Sequence, residues 1–540
     1  MRIVFYCVNG SGVGHLTRLV ALAKWMRRYL KLLGHPAELV FLTSSEETSL
    51  LFRENLPSFK LPSKTAIGGS DFDKLTYLAL AKQWVWHSLT LLRPDLLVVD
   101  SFPRGAFGEL TSALDLVKKK AFVYRHMKSE MAARPDFQAM VALYDRIVLP
   151  EDAGRHAELL PPAAASRVSR VGPIVLREPA ELLGRAEARR QLGVSADGPV
   201  ILLTAGGGGD ATAPARLGLL VDHLRRLGEV VVAAGPLYRG PRPDAAPGVV
   251  WLTEPTLSSL LSAFDVAVSA AGYNTFHELM LARVPSVFLP QDKVADAQDA
   301  RARVAVEKGA AALMPALPDA LLVEAVSRAV AHYLVPAHAA AARAAAASVA
   351  AESAASVAAL ELLGLVLTPA ERDLARSVDG PSLLPTLLKR GLSFESYAEV
   401  LRTILGRDLD AAGARAVSSD VVTTLLDAVP QLADAAWLPV LSLLGRRLPA
   451  QEPGELGARA AAVRTCMRLL AGFGDAAAAS IYLRTWGPAK GADLAAATAD
   501  LTGRLESLGS RRRDLYDGLA ELAGSARAEA SAPRETEEAP

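Results

Sequence analysis

Four segments carry groups that suit chemistry on a phosphorylated ligand. The first, NGSGVGHLTR over 9–18, follows an apolar run and opens an amphipathic one. Its glycines let the backbone turn tightly and approach a ligand. His15 stands at the predicted helix start, where the positive helix end lowers an imidazole pKa and favours the neutral, proton-accepting form. We predict that His15 is a general base, with a histidine that only caps the turn as the alternative.

Taken alone, this glycine-rich turn would suggest a dinucleotide site. Such a site needs an acid at the end of the second strand to bind the ribose. Glu46 and Glu47 come too late after the run 39–43 to fill that role cleanly. The sequence therefore disfavours a dinucleotide-binding fold at this turn.

The second segment is a run of four glycines after a predicted strand: Gly206, Gly207, Gly208 and Gly209. Four glycines cannot pack a core, but they expose backbone N–H groups that suit a phosphate. A flexible surface turn is the alternative.

The third segment opens a helix after a strand predicted over 265–268. It supplies N–H groups at a helix N-terminus, a natural pyrophosphate site, from Gly272, Tyr273, Asn274 and Thr275. Glu278 lies just beyond, where its carboxylate can accept both hydroxyls of a ribose. An acid that only complements the helix dipole is the alternative.

Further polar residues stand where other predicted strands end. Asp296 and Gln298 form the fourth segment and suit sugar hydroxyls, although a solvated helix start explains them equally well. Asp100 can orient His15 as a His–Asp pair, or cap a loop. Arg125, beside His126, suits an acceptor phosphate or carboxylate, or is half of a solvated pair.

Alternating strands and helices must position these groups. Short apolar runs separated by amphipathic stretches continue to about residue 315, a pattern typical of parallel sheets covered on both faces. The runs fall into two sets, and the sequence predicts an α/β fold with two Rossmann-like, doubly wound domains over 1–171 and 172–366. Ligands of such sheets bind at the carboxyl ends of strands. An alanine-rich stretch, 338–366, is predicted as one long closing helix, followed by an all-helical domain over 367–523 and a disordered tail over 524–540.

Composition excludes several classes of protein. The 540 residues are 51% hydrophobic and 22% charged with a net charge of +1, so nucleic acid is not expected as a partner. Two cysteines exclude a disulfide framework and a four-cysteine zinc site. No signal peptide is apparent, and no stretch reaches the ~18 apolar residues of a membrane span. A cytoplasmic protein is expected.

The first, third and fourth segments, in this order and spacing, resemble the B-type glycosyltransferases. The resemblance covers roughly residues 1–365 and is most specific over 265–301. The subgroup it resembles includes the bacterial N-acetylglucosaminyltransferases that complete lipid II and related predicted UDP-sugar transferases.

The resemblance implies roles residue by residue. Gly12, Gly14 and His15 match the acceptor-side loop, and Arg18 and Arg125 are placed on that side with them. The glycine run matches a loop at the donor phosphates that usually includes a serine. Glu278 matches the acid that holds the uridine ribose.

The remaining matches concern the donor sugar and the base. Asp296 and Gln298 resemble the acid-x-Gln pair that faces the donor sugar, whereas Arg301 stands where the family often has Asn and receives no role. The backbone at 253–254 is expected to meet uracil.

The implied activity is inverting, metal-independent transfer of a hexose or hexosamine, first of all GlcNAc, from a UDP-sugar to a hydroxyl on a lipid or saccharide. No cofactor is expected; Asp71-Phe72-Asp73 spells a metal-binding Asp-x-Asp, but lies in a Gly/Ser-rich loop. A UDP-sugar hydrolase and a non-catalytic sugar-nucleotide-binding module are the alternatives. Basic and aromatic residues interleaved over 16–33 and 75–92 suit peripheral contact with an anionic membrane at the inner face, or simply one core face and one wet face.

Overall fold

The computed structural model describes residues 1–8, 12–125, 128–150, 159–207, 209, 212–241, 246–252, 257–292, 296–377 and 380–389. Residues 1–27 and 36–368 form one compact unit that holds both predicted α/β domains. Residues 28–35 group instead with the chain from Pro369 onward.

The first lobe is a parallel seven-stranded sheet in the order β3-β2-β1-β4-β5-β6-β7. Its strands are β1 (Arg2–Cys7), β2 (Glu38–Thr43), β3 (Ser58–Lys60), β4 (Leu96–Asp100), β5 (Lys120–Val123), β6 (Arg146–Leu149) and β7 (Val168–Arg170). The helices between them are α1 (Gly14–Leu32), α2 (Ser49–Arg53), α3 (Lys64–Gly68), α4 (Lys74–Leu92), α5 (Ser129–Ala132) and α6 (Pro135–Val141). The central strands β1 and β4 are apolar apart from Arg2 at the start of β1 and Asp100 at the end of β4, because helices cover both faces of the sheet.

The second lobe is a parallel six-stranded sheet in the order β10-β9-β8-β11-β12-β13. Its strands are β8 (Val200–Thr204), β9 (Glu229–Ala233), β10 (Val249–Leu252), β11 (Val266–Ser269), β12 (Ser286–Phe288) and β13 (Ala311–Leu313). Its helices are α7 (Arg185–Leu192), α8 (Ala213–Leu224), α9 (Leu257–Leu260), α10 (Tyr273–Leu281), α11 (Gln298–Glu307), α12 (Asp319–Leu334), α13 (Pro336–Ala346) and α14 (Ala355–Leu363). Separate apolar clusters fill its two faces.

Each sheet has one point where the strand order reverses. In the first lobe this point lies between β1 and β4, with Tyr6 opposite Val99. In the second lobe it lies between β8 and β11, with Thr204 opposite Ser269. Ligands of open parallel sheets bind beyond the strand ends at such points, because the following loops turn to opposite faces and leave a crevice.

The prediction of one long helix over 338–366 is wrong. The stretch forms α13 and α14 with a break between them, where the N–H of Ala354 donates to the carbonyl of Pro173 at 2.7 Å. Beyond the break the chain returns to the first lobe, and Ser169 Oγ donates to Glu361 Oε2 at 2.9 Å. High alanine content permits a helix everywhere here, so tertiary contacts decide where it stops.

Two helices of the predicted all-helical region lie within the described residues. Helices α15 (Pro369–Ser377) and α16 (Gly380–Lys389) open it. The rest of the predicted 367–523 domain and the predicted tail lie outside the described residues.

The helices of the described ranges differ in length and apolar content. No single helix there is long and apolar enough to cross a membrane, and the one pair that passes together, α12 with α13, bends by 90° at its break.

Candidate active site

A histidine and an aspartate meet at the reversal point of the first sheet. His15 lies in the first turn of α1, after β1, and Asp100 ends β4. Because β1 and β4 are neighbours, the two side chains come together, and His15 Nδ1 lies 2.7 Å from Asp100 Oδ1. Asp100 is buried, whereas His15 is partly exposed. His15 and Asp100 thus form the predicted His–Asp pair through Nδ1. The second imidazole nitrogen, Nε2, takes no part in this pair.

Arg18 shares the same carboxylate. Its Nε donates to Asp100 Oδ2 and its Nη2 to Oδ1, both at 2.7 Å. The hydroxyl of Ser101 adds a third hydrogen bond to Oδ1 at 2.6 Å. Burial alone would raise the pKa of Asp100, but Arg18 and His15 outweigh it and hold that pKa well below its usual range. Asp100 is therefore an anion at neutral pH.

The imidazole of His15 is held in its neutral form. Burial lowers the pKa of His15, the hydrogen bond and charge of Asp100 oppose that shift, and the charges of Arg18 and Arg125 add to it. The direction agrees with the sequence expectation, but the main cause is desolvation and not the helix end. A neutral imidazole whose Nδ1 faces a carboxylate can accept a proton at Nε2.

Backbone N–H groups gather at the reversal point of the second sheet. Gly206 and Gly207 follow β8, where the N–H of Gly206 donates to Thr204 Oγ1 at 3.1 Å. Gly272 precedes α10. The first N–H groups of a helix have no intrahelical partner and carry a partial positive charge. An anion can bind there.

A cavity of about 110 Å³ lies between the lobes at these loops. From the first lobe, Val13, Leu16, Thr17, Glu47 and Leu50 line it; from the second, Gly206, Gly207, Gly235, Asn274, Thr275 and Glu278 do so. Gly206 and Gly207 of the glycine run therefore face one cavity with Glu278. We call it the interlobe cavity.

Glu278 is the most strongly perturbed acid of the interlobe cavity. Within the described ranges its half-buried carboxylate makes no hydrogen bond or ion pair. Burial raises the pKa of Glu278 to about 7, with Arg177 opposing the shift. A desolvated acid without a protein partner is a candidate ligand-binding group.

Asp296 and Gln298 line a second cavity of about 700 Å³. Asp296 Oδ1 accepts from Arg301 Nη2 at 2.9 Å and also from Arg125 Nη1 of the first lobe. The two arginines outweigh burial and hold the pKa of Asp296 below its usual range. Arg125 thus bridges the lobes through Asp296.

Tyr273 joins the lobes from within. Its hydroxyl donates to the carbonyl of Pro150 at 2.5 Å and accepts from the N–H of Ile174 at 2.9 Å. Asn274 adds a hydrogen bond from Nδ2 to the carbonyl of Gly14 at 3.1 Å. The start of α10 is therefore fixed against the first lobe.

The remaining predicted positions differ in how much is described. Gly12 meets the second lobe, because a Cβ on Gly207 would lie 3.2 Å from its Cα. Gly209 is not among the residues that line either cavity. Gly208, His126 and the 253–254 backbone lie outside the described residues.

Sequence reasoning missed two residues. Glu47 was judged to come too late for a ribose site, yet it is one of the residues that line the interlobe cavity. Arg301 was given no role, although it binds Asp296 and, at 2.7 Å, the carbonyl of Ala271. Both contacts depend on how loops fold back, and no local pattern signals that.

Two other groups are explained by local structure. Asp73 caps α4, with its Oδ2 accepting from the N–H of Thr76 at 2.6 Å. Over the part of the chain that is described, no group of three or more His, Cys, Asp or Glu is placed to hold a metal ion.

Trp25 and Lys24 of α1 are buried, and Trp25 Nε1 donates to Glu178 Oε1 at 2.8 Å, so this face of the 16–33 helix packs inside the protein.

Gly235 supports the glycine turn, and its substitution tests that support. Its φ is +86°, and an added Cβ would lie 2.4 Å from the carbonyl oxygen of Gly206. We expect Gly235→Ala to lower the free energy of unfolding by about 1–3 kcal/mol. Gly218→Ala, in α8 with nothing within 4 Å, is the matched control and should stabilise by about 0.5–1 kcal/mol. Urea unfolding measures both; an unchanged midpoint for Gly235→Ala would contradict the packing described.

Comparison with known proteins identifies part of the chain. Residues 254–360 match the family described as Glycosyltransferase family 28 C-terminal domain. The UDP-N-acetylglucosamine–N-acetylmuramyl-(pentapeptide) pyrophosphoryl-undecaprenol N-acetylglucosamine transferase of Rhodococcus opacus (strain B4) is 31% identical over 176 residues, 29% of this chain and 45% of that protein. The protein of the same description from Rhodococcus jostii (strain RHA1) is 30% identical over the same shares. The chain thus spans less than half the length of these curated relatives.

Solved structures with a similar arrangement include MurG of Acinetobacter baumannii, at 17% identity over 66% of this chain and 98% of that one, with a TM-score of 0.43. The spinosyn rhamnosyltransferase SpnG complexed with thymidine diphosphate is 19% identical over 67% and 100% of the two chains, with a TM-score of 0.46. Residues 254–360 are similar to a family 28 glycosyltransferase C-terminal domain, and part of the chain is similar to the lipid II-forming transferases.

Proposed function

We propose that the protein transfers a sugar from a UDP-sugar to a hydroxyl group of an acceptor. One observation carries the proposal. The His15–Asp100 pair lies at the strand ends where the order of the first sheet reverses. The Gly206–Gly207 turn and the start of α10 lie at the corresponding point of the second sheet. His15 follows Gly14, whose carbonyl accepts a hydrogen bond from Asn274 Nδ2 of α10 at 3.1 Å. The proposed proton acceptor and the proposed anion-binding N–H groups are therefore connected across the lobes, where the two halves of a glycosyl transfer would meet.

In the proposed reaction His15 acts as the base. Its Nε2 takes the proton of the acceptor hydroxyl while that oxygen attacks the anomeric carbon. The bond from this carbon to the β-phosphate oxygen breaks, and UDP leaves with the bonding electrons. Asp100 orients the imidazole and stabilises the imidazolium that forms. One displacement inverts the anomeric centre.

The departing charge is assigned to backbone groups. The N–H groups of Tyr273, Asn274 and Thr275 open α10 without intrahelical partners. Oriented N–H groups at a helix start stabilise developing phosphate charge without reorganisation. We propose on this basis that the reaction needs no metal and no cofactor.

Donor entry requires the lobes to part. Pockets that hold nucleotide-sized ligands measure roughly 300–1,000 Å³, and the interlobe cavity is about 110 Å³. The contacts of Arg125 with Asp296 and of Lys128 with Asp292 join the lobes, so both would break or shift as the donor enters. Asp296 would then be released to meet the donor sugar together with Gln298.

The donor sugar and the acceptor are proposed from the relatives. The curated relatives are described as N-acetylglucosamine transferases acting on an undecaprenol-linked substrate. We propose GlcNAc as the first donor sugar to test and a lipid-linked or saccharide hydroxyl as the acceptor. A cytoplasmic enzyme at the inner face of the membrane would meet both.

Helix α4 offers a surface for such membrane contact. Leu75, Leu80, Trp86 and Leu91 are exposed along it, and Lys82 lies among them. Burying one leucine in a lipid interface gains about 1.5–3 kcal/mol. We expect Leu91→Glu to weaken binding to vesicles of anionic phospholipid about tenfold or more, measured by co-sedimentation. Val306→Glu, on α11 of the second lobe, is the control; equal binding by the two variants would exclude α4 as the contact.

Glu278 gives the proposal a pH signature. We propose that its carboxylate accepts the ribose hydroxyls, so UDP binding should weaken as pH falls through the pKa of about 7. Glu278→Gln keeps the size but cannot change charge, and its affinity should be lower at pH 8 and show less dependence on pH. Calorimetric titration of both proteins with UDP at pH 6 and 8 measures this difference in affinity. The ionisation of UDP itself affects both proteins equally, so the comparison with the variant removes it. Parallel pH dependence in the two proteins would exclude the ribose contact.

Product analysis separates transfer from the other two functions. The protein is incubated with UDP-GlcNAc and other UDP-sugars, with and without lipid and saccharide extracts. Transfer predicts UDP release that depends on the extract, with the sugar recovered on an acceptor. Free sugar and UDP without any extract would favour a hydrolase, and binding without turnover a sugar-nucleotide-binding module.

A further inference from the structure

Arg18 holds the carboxylate of Asp100 and lines neither of the two cavities described above. Its buried guanidinium binds both oxygens of Asp100 and also reaches Ser101 Oγ at 3.3 Å. Nη2 lies 3.3 Å from His15 Nδ1. A planar guanidinium that meets a carboxylate through two nitrogens fixes its orientation as well as its charge. The plane of Asp100, and with it the position of His15, is set by Arg18.

The other side of Arg18 faces the second lobe. Its Cζ lies 4.7 Å from the centre of the Tyr273 ring, a cation–π contact. The ring cannot shift easily, because its hydroxyl is bonded to the backbone at Pro150 and Ile174. Tyr273 is also the first residue of α10. Arg18 therefore connects the end of β4 in one lobe with the start of α10 in the other.

We propose that Arg18 is a positioning residue that couples the His15–Asp100 pair to the start of α10. The role in catalysis rests on the proposed function, while the coupling itself does not. When α10 moves away as the lobes part, Tyr273 leaves the guanidinium and the pair loses part of its support. The base is then fully ordered only when the lobes are closed, which would limit proton abstraction to the closed state.

The charges around His15 set the sign of the expected effect. Among the described residues they are Asp100 from β4, Arg18 from α1 and Arg125 after β5. Phe102 packs edge-on against the ring and carries no charge. Removing Arg18 takes away a nearby cation and leaves the Asp100 anion, so the imidazolium becomes easier to form.

Titration of His15 in the full-length protein tests the coupling without any substrate. Carbon-13 at the imidazole is observed by NMR, and His15→Gln assigns the signal. We expect Arg18→Met to raise the pH at which His15 titrates, and Arg18→Lys to give an intermediate value because it keeps a charge but not the planar fork. Tyr273→Leu should shift the titration in the same direction, whereas Tyr273→Phe, which keeps the ring but loses the hydroxyl that anchors it, should shift the titration less.

The outcomes are separable from those of the proposed function. If His15 titrates at the same pH in the wild type and in folded Arg18→Met, Arg18 does not position the pair. If Tyr273→Leu and Tyr273→Phe behave alike, the contact with α10 carries no coupling. Should Arg18→Met fail to fold, Arg18→Lys and the two Tyr273 variants decide. Once an acceptor is known, kcat should fall about tenfold in Arg18→Met, and the acid limb of kcat/KM should move with the titration.

Discussion

Replacing His15 with alanine should lower the rate of sugar transfer by about 10²–10⁴-fold, the range expected when a positioned general base is removed. The imidazole has its Nδ1 2.7 Å from the buried Asp100, and burial keeps it neutral. Without it, the acceptor hydroxyl must lose its proton to water. The measurement is UDP release in the presence of the acceptor extract, at saturating UDP-sugar.

The control for His15→Ala is a histidine outside the site. His87 is exposed on α4, where its ring meets Trp86 edge-on. His87→Ala should release UDP at the rate of the wild type. UDP affinity should also be kept in His15→Ala, because the proposed donor contacts come from the second lobe. Near-normal turnover by His15→Ala would rule out its role as the base.

The second large effect concerns stability. Asp100→Ala should lower the free energy of unfolding by about 3–5 kcal/mol, the cost of leaving a buried cation without its partner. Arg18 is the cation, and both of its bonds to Asp100 measure 2.7 Å. The pKa of Asp100 is lowered in the folded state, so this stabilisation is present at neutral pH and disappears only as pH falls through that low value. Urea unfolding at pH 7 measures the loss.

Two further variants define the cause. Asp299→Ala removes an exposed ion pair with Arg303 and should cost no more than about 1 kcal/mol. The double variant Asp100→Ala with Arg18→Met removes both charges and should recover part of the loss, because no buried cation remains. If Arg18→Met lowered the free energy of unfolding as much in the Asp100→Ala background as in the wild type, the two residues would act independently. The ion pair would then not be the source of the stability lost in Asp100→Ala.

The side chains that meet at the carboxyl ends of the strands were predictable because two simple rules act together. A strand such as β4, which is apolar up to its last residue, must be covered on both faces, and parallel strands carry their loops to one edge. His15 and Asp100 could therefore be expected to meet from the sequence alone, although 85 residues separate them. The same rules put Gly206, Gly207 and Glu278 on one cavity.

The parts that escaped prediction depend on contacts between elements. From the sequence, Asp296 is expected to bind sugar hydroxyls. In the structure it forms ion pairs with Arg125 of the first lobe and Arg301 of the second, and hydrophobic periodicity does not predict such pairs. Alanine-rich sequence over 338–366 does not show where α13 ends, because a contact with Pro173 decides it. Tyr273 carries no signal that distinguishes a bridging ring from a helix start.

The most direct test of the account is transfer of a labelled sugar. The full-length protein is incubated with UDP-[14C]GlcNAc and a membrane lipid extract, and the label is followed into the organic phase beside UDP release. The account predicts a labelled lipid or saccharide product, formed at the same rate as UDP and strongly reduced in His15→Ala. If no tested UDP-sugar binds the protein by calorimetry and none yields a labelled product, the site between the lobes does not hold a UDP-sugar, and the central claim fails.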